Sequence, residues 1–121
     1  MKVKDATVEC HFHPVITELL FVVDKVYNTW GDELIITSGS EHSAKHAITS
    51  LHYAIPGCAF DVRTWDATSG RGTVPDSDEQ LAGIKAAIAE FCAKRSYPTN
   101  WVDIVLESTH IHIEFQPKYQ G

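Results

Sequence analysis

The sequence predicts a small α+β domain: a largely antiparallel sheet with two main helices. Two stretches repeat apolar residues at three- and four-residue steps, and four others read as strands. Helices and strands also follow one another without the regular alternation that builds a parallel α/β sheet. A chain of 121 residues favours one domain over 1–121, able to bury roughly two-thirds of its unfolded surface.

The first helix is expected after Pro14, because proline suits a helix's first turn. Ile16, Leu19, Leu20, Val23, Val26, Tyr27 and Trp30 mark its buried face, and Gly31 is placed to end it. An isoleucine-rich strand follows over 33–37. Residues 38–50 are polar, carry His42 and His46, and read as a functional loop. A second strand is expected over 58–63, then an exposed loop over 64–76 containing Gly70, Gly72 and Pro75. Ser77-Asp78-Glu79-Gln80 has capping-box spacing, and Leu81, Ile84, Ile88 and Phe91 give one face of a second helix. Pro98 closes that region; the last strands are expected over 101–106 and 109–115, with a frayed tail.

Composition narrows the function. Hydrophobic residues at 44% and charged residues at 21% describe a folded domain rather than a disordered one. A net charge of −6, with no run of Lys or Arg, argues against nucleic acid as a partner. The longest apolar run, Leu19-Leu20-Phe21-Val22-Val23, is far too short to span a membrane. The odd set Cys10, Cys58 and Cys92 points to reduced thiols. Met1-Lys2-Val3-Lys4-Asp5 has no apolar segment behind it, so no secretory signal is expected. The chain is therefore expected to be made in the cytoplasm and to act on a cell wall only if delivered there.

Seven histidines, several beside carboxylates, carry the chemical signal. In Thr109-His110-Ile111-His112-Ile113-Glu114-Phe115 strand alternation sends Thr109, Ile111, Ile113 and Phe115 to a core. His110, His112 and Glu114 then share the opposite face, either as a solvated row or as nitrogen ligands to a metal. Asp61 lies in an otherwise apolar strand and needs a partner, because an unpaired buried charge is strongly disfavoured. Gly57 allows the turn that brings the loop with His52 back over that strand. Alternation puts Cys58 on the face opposite Asp61, as a small core residue. Cys10-His11-Phe12-His13 lacks the second pair that a structural metal site needs. Trp65 and Trp101 belong to the core or to the border of a groove, and Asp103 to a solvated face. There is no Gly-rich phosphate cradle and no Gly-x-Ser-x-Gly elbow.

Ser50, His52, Gly57, Ala59 and Asp61, followed by Glu107 and His112, resemble the motif order of the zinc D-Ala-D-Ala peptidase family. That family includes bacterial carboxypeptidases and phage endolysins, and is related to the hedgehog signalling domain. Ile36-Thr37-Ser38-Gly39, Ser50-Leu51-His52-Tyr53, Trp101-Val102 and His110-Ile111-His112 add to the likeness, which spans residues 34–114. The resemblance implies a zinc ion held by His52, Asp61 and His112, with a fourth position open to water. It implies Glu107 as general base, His46 as a partner of the scissile carbonyl or of Glu107, and His110 as a supporting or oxyanion group. Glu114 is expected to orient an imidazole or to face solvent.

The implied function is hydrolysis of an amide bond in peptidoglycan stem peptides or cross-links, of endolysin or carboxypeptidase type. The alternatives are a non-catalytic, zinc-stabilised binding module and a phage structural protein. Three departures bear on the choice. Two additional residues separate His52 from Gly57. The family's Ser-Gly-x-Arg is Ser38-Gly39-Ser40-Glu41, leaving Lys45 as a point charge without an arginine's fork. Glu107 precedes His112 by five residues rather than six. An odd offset along one strand points the two side chains to opposite faces, so a turn or bulge at Ser108-Thr109 is expected.

Overall fold

Pro14 opens the first helix, α1 (Pro14–Thr29), and the His13 ring caps it, its Nδ1 accepting the Val15 N–H at 3.1 Å. The helix stops where Trp30 and Gly31 donate their backbone N–H groups to Tyr27 and Asn28. Gly31 has φ of 73°, a left-handed conformation that costs glycine no steric penalty, so it ends the helix as its position predicts. Trp30 is the cap rather than part of the last turn. The computed structural model describes residues 1–31, 33–40, 58–64, 77–107 and 110–116. Residues 41–57 and 65–76, with His42, Lys45, His46, His52, Gly57 and Trp65, lie outside those residues, as do the residues from 117 onward.

The second helix, α2 (Ser77–Arg95), includes Ser77 as its first residue, one position earlier than a capping box at Ser77 implies. Its buried row is Gln80, Ile84, Ile88 and Cys92, at successive four-residue steps, while Leu81 and Phe91 flank it half-buried. Gln80 tolerates full burial because Oε1 lies 3.4 Å from the Tyr27 hydroxyl, which also stands 3.0 Å from the Arg63 carbonyl.

The sheet has the order β1-β2-β3-β5-β4. Its strands are β1 (Lys2–Val3), β2 (Ile35–Ser38), β3 (Ala59–Arg63), β4 (Val102–Leu106) and β5 (His110–Phe115). β1 pairs parallel with β2, and the remaining neighbours are antiparallel, so the α+β class with a largely antiparallel sheet holds. β1 was not foreseen; two exposed residues carry no periodicity to read.

Both helices pack on one face of this sheet. Ile36, Phe60, Val62, Ile111, Ile113 and Phe115 meet Ile16, Leu19, Val23, Tyr27, Ile84 and Ile88 in one buried cluster. Each large apolar side chain placed there contributes about 1.5–3 kcal/mol relative to exposure. Trp101 packs beside Tyr97 and Phe115, with ring centroids 5.5 and 6.4 Å away, which makes it a border of the core. Cys58 is half-buried, and burial pushes its thiol and that of Cys92 up, towards the unreactive protonated form. No described helix is long and apolar enough to cross a membrane.

The N-terminal segment is tied to the end of β2. The Ser40 N–H donates to the Glu9 carbonyl at 2.7 Å, and the His11 N–H donates to Ser40 Oγ at 2.8 Å. A Cβ at Gly39 would stand 2.1 Å from that same Glu9 oxygen, so only glycine admits this approach.

Candidate metal centre

Strand register assembles the site on the sheet face opposite the helices. Asp61 on β3 is the direct partner of His112 on β5, and Arg63 is the partner of His110. On the other side of β5, Val105 faces His112 and Asp103 faces Glu114. β5 alternates half-buried and buried along its length, so Ile111, Ile113 and Phe115 enter the core while His110, His112 and Glu114 stay outside. Asp103 is exposed on that outer face, as expected.

Asp61 is a nearly buried carboxylate, 8% exposed, and its partner is His112: Oδ1 lies 2.6 Å from the imidazole Nδ1. The other ring nitrogen, Nε2, donates to Glu114 Oε1 at 2.8 Å. The Asp61 hydrogen bond is the main reason that the His112 pKa is raised to about 9; burial opposes it, and the Asp61 charge and Glu114 add to it. In the absence of metal His112 is therefore an imidazolium between two carboxylates.

His110 joins a third carboxylate to the group. Its Nε2 lies 2.8 Å from Glu107 Oε2 and 3.8 Å from Asp61 Oδ2. The five-residue offset between Glu107 and His112 does not turn Glu107 away, because the two residues do not share a strand. β4 and β5 pair antiparallel, Leu106 faces Ile111, and the Glu107 N–H donates to the His110 carbonyl at 2.8 Å. The chain thus reverses between Glu107 and His110, and Glu107 keeps the face of Asp103 and Val105. Ser108 and Thr109 themselves lie outside the described residues.

A bulge between Ile36 and Ser38 shifts the β2–β3 register and sets Ser38 opposite Asp61. Bulges at the rim of a site re-aim side chains. Sequence reading did not single out Ser38 itself or Gln116. Gln116 donates its side-chain amide to Glu114 Oε2, and its even offset from His112 is the signal that places it on this face.

The donor chemistry fits zinc. Asp61 and His112 offer an oxygen and a nitrogen side by side, and Glu114 holds the far nitrogen of the imidazole, as carboxylates commonly do behind zinc-bound histidines. Two donors on a tetrahedral zinc stand about 3.3 Å apart, so this pair, 2.6 Å apart, would have to open by less than an ångström to hold such an ion. Among the described residues no three His, Cys, Asp or Glu side chains converge on one metal position. The third implied ligand, His52, lies outside them, as does His46. No family model matches the chain, and neither does any curated protein or solved structure.

Proposed function

We propose that this protein is a zinc-dependent peptidase that hydrolyses an amide bond in peptidoglycan stem peptides or cross-links. The observation that carries the reading is the register pairing of Asp61 with His112, with Glu107 and His110 on the same sheet face. These are the residues to which the sequence resemblance assigns a ligand pair, a base and a supporting histidine. His52, Asp61 and His112 would hold the zinc, which when bound lowers the pKa of a water to about 7 and polarises a carbonyl.

The chain's own groups supply the rest. Glu107 is half exposed, so water reaches it, and His110 holds it through Oε2. A carboxylate held in that way takes the proton of the attacking water at its other oxygen and passes it to the leaving amine. His110, with Nε2 2.8 Å from Glu107 and 3.8 Å from Asp61, orients that base, and the oxyanion role is assigned to it by the resemblance alone. His46 is assigned to the scissile carbonyl or to Glu107 by the resemblance alone.

Glu41 stands where the family carries arginine, so the site lacks the usual fork for a free carboxylate. Internal and cross-linked peptides should therefore be cut in preference to free-ended D-Ala-D-Ala peptides. The test is mass spectrometry of products from purified peptidoglycan and from a D-Ala-D-Ala peptide, with zinc-loaded and chelator-treated protein. Cross-link cleavage that the chelator abolishes is the expected result. Dominant release of terminal D-Ala would reverse the substrate preference. No product from protein shown to hold zinc would leave the binding module as the reading.

A further inference from the structure

We infer that Glu114, braced by Gln116, is a positioning residue that makes Nδ1 the metal-binding nitrogen of His112. The inference rests on the zinc reading above and adds the device that aims one ligand. His112, Glu114 and Gln116 stand at two-residue steps on β5 and its continuation, which puts all three on the outer sheet face. Glu114 Oε1 accepts the His112 Nε2–H at 2.8 Å, and Glu114 Oε2 accepts the Gln116 side-chain amide. Both carboxylate oxygens are thus occupied within the strand.

The strand end is fixed as well. The Gln116 backbone N–H donates to the Trp101 carbonyl at 2.6 Å, so the brace hangs on a residue held by the sheet. Asp103 stands across from Glu114 in the β4–β5 register, and like charges directly opposed repel. That repulsion gives the Glu114 carboxylate a reason to lean along its own strand, towards the His112 N–H and the Gln116 amide. With Nε2 committed as a donor to Glu114, the lone pair of a neutral His112 lies on Nδ1, the nitrogen that already faces Asp61.

The test uses full-length protein and Zn²⁺ alone. Zinc affinity is measured by chelator competition for wild type, E114Q, E114A, Q116A and H112A. In the zinc-loaded protein, nitrogen-15 NMR reports which His112 nitrogen carries a proton. The expected pattern is a loss of roughly 10–100-fold in affinity for E114A, with smaller losses for E114Q and Q116A. E114Q retains a neutral acceptor and so rescues part of the loss, whereas a merely structural role gives no such order. Wild type should show a protonated Nε2 and a metal-bound Nδ1. Unchanged affinity in E114A, or a metal-bound Nε2 in wild type, overturns this inference and leaves the zinc site standing. A wild type that binds zinc no better than H112A overturns both. Should E114A fail to fold, E114Q, Q116A and the wild-type NMR assignment decide the question.

Discussion

The two faces of β5 make opposite demands on one six-residue strand. Ile111, Ile113 and Phe115 are at most 4% exposed and touch apolar side chains of both helices and neighbouring strands. His110, His112 and Glu114, one residue away in each case, touch the carboxylates Glu107 and Asp61 and the Gln116 amide. The inner face derives its stability from excluded water, and its contacts are interchangeable within limits of volume. The outer face derives it from directed hydrogen bonds between charges, where one wrong partner leaves a half-buried group unsatisfied. The lesson is that a two-residue period lets a small domain keep its site rigid at no distance from its core.

Adjacent substitutions give the sharpest way to break that comparison. His112→Ala should abolish zinc binding and hydrolysis while the metal-free protein still folds, seen as zero bound zinc by elemental analysis and an intact circular dichroism spectrum. Ile111→Ala should do the converse. It leaves the zinc stoichiometry of the folded fraction unchanged but lowers unfolding free energy by about 2–5 kcal/mol in urea. Full zinc occupancy in His112→Ala would shift the ligand role to His110 and dissolve the assignment of the outer face.

Next in size is Glu107→Gln, which keeps shape and hydrogen-bonding reach but removes the proton acceptor. Zinc should stay bound, and hydrolysis should fall by roughly 10²–10⁴-fold. Near-normal turnover would move the base to His46, and His46→Ala would then abolish the reaction with zinc intact.

What the sequence made legible follows from the range of the interactions. The alternation of β5 and the limits of α1 were readable because strand parity, Pro14 and Gly31 act over a few residues. Asp61 announced a partner simply by being charged in an apolar strand, although only the β3–β5 register identifies that partner as His112. Counted along one strand, the offset of Glu107 points it away from His112, which is why a turn or bulge is expected before His110. That the chain reverses there rather than bulging is shown only by the β4–β5 pairing and the Glu107–His110 hydrogen bond. Burial of Gln80 was hidden, since it depends on a Tyr27 hydroxyl that arrives from the other helix. His46 and His52 lie outside the described residues, so their part in the site stands on the resemblance.

The smallest expected effect separates the faces by pH. In the zinc-free protein the His112 pKa is raised to about 9, against about 6.5 in an unfolded chain. A pKa raised on folding means that the folded state binds the proton more tightly. The resulting stabilisation is complete below pH 6.5 and is lost as pH rises through 9. Allowing for screening at a half-buried site, about 1–3 kcal/mol should disappear across that window, read as a falling urea midpoint. His112→Gln should flatten the curve, whereas Ile111→Ala should lower it throughout without changing its slope. Excess zinc should reverse the trend, because the ion needs the deprotonated ring and its affinity grows as the competing proton leaves. A zinc-free midpoint that stays level from pH 6.5 to 9 would mean that Asp61 and Glu114 do not hold the imidazolium. The outer face would then contribute to the fold no more than a solvated row.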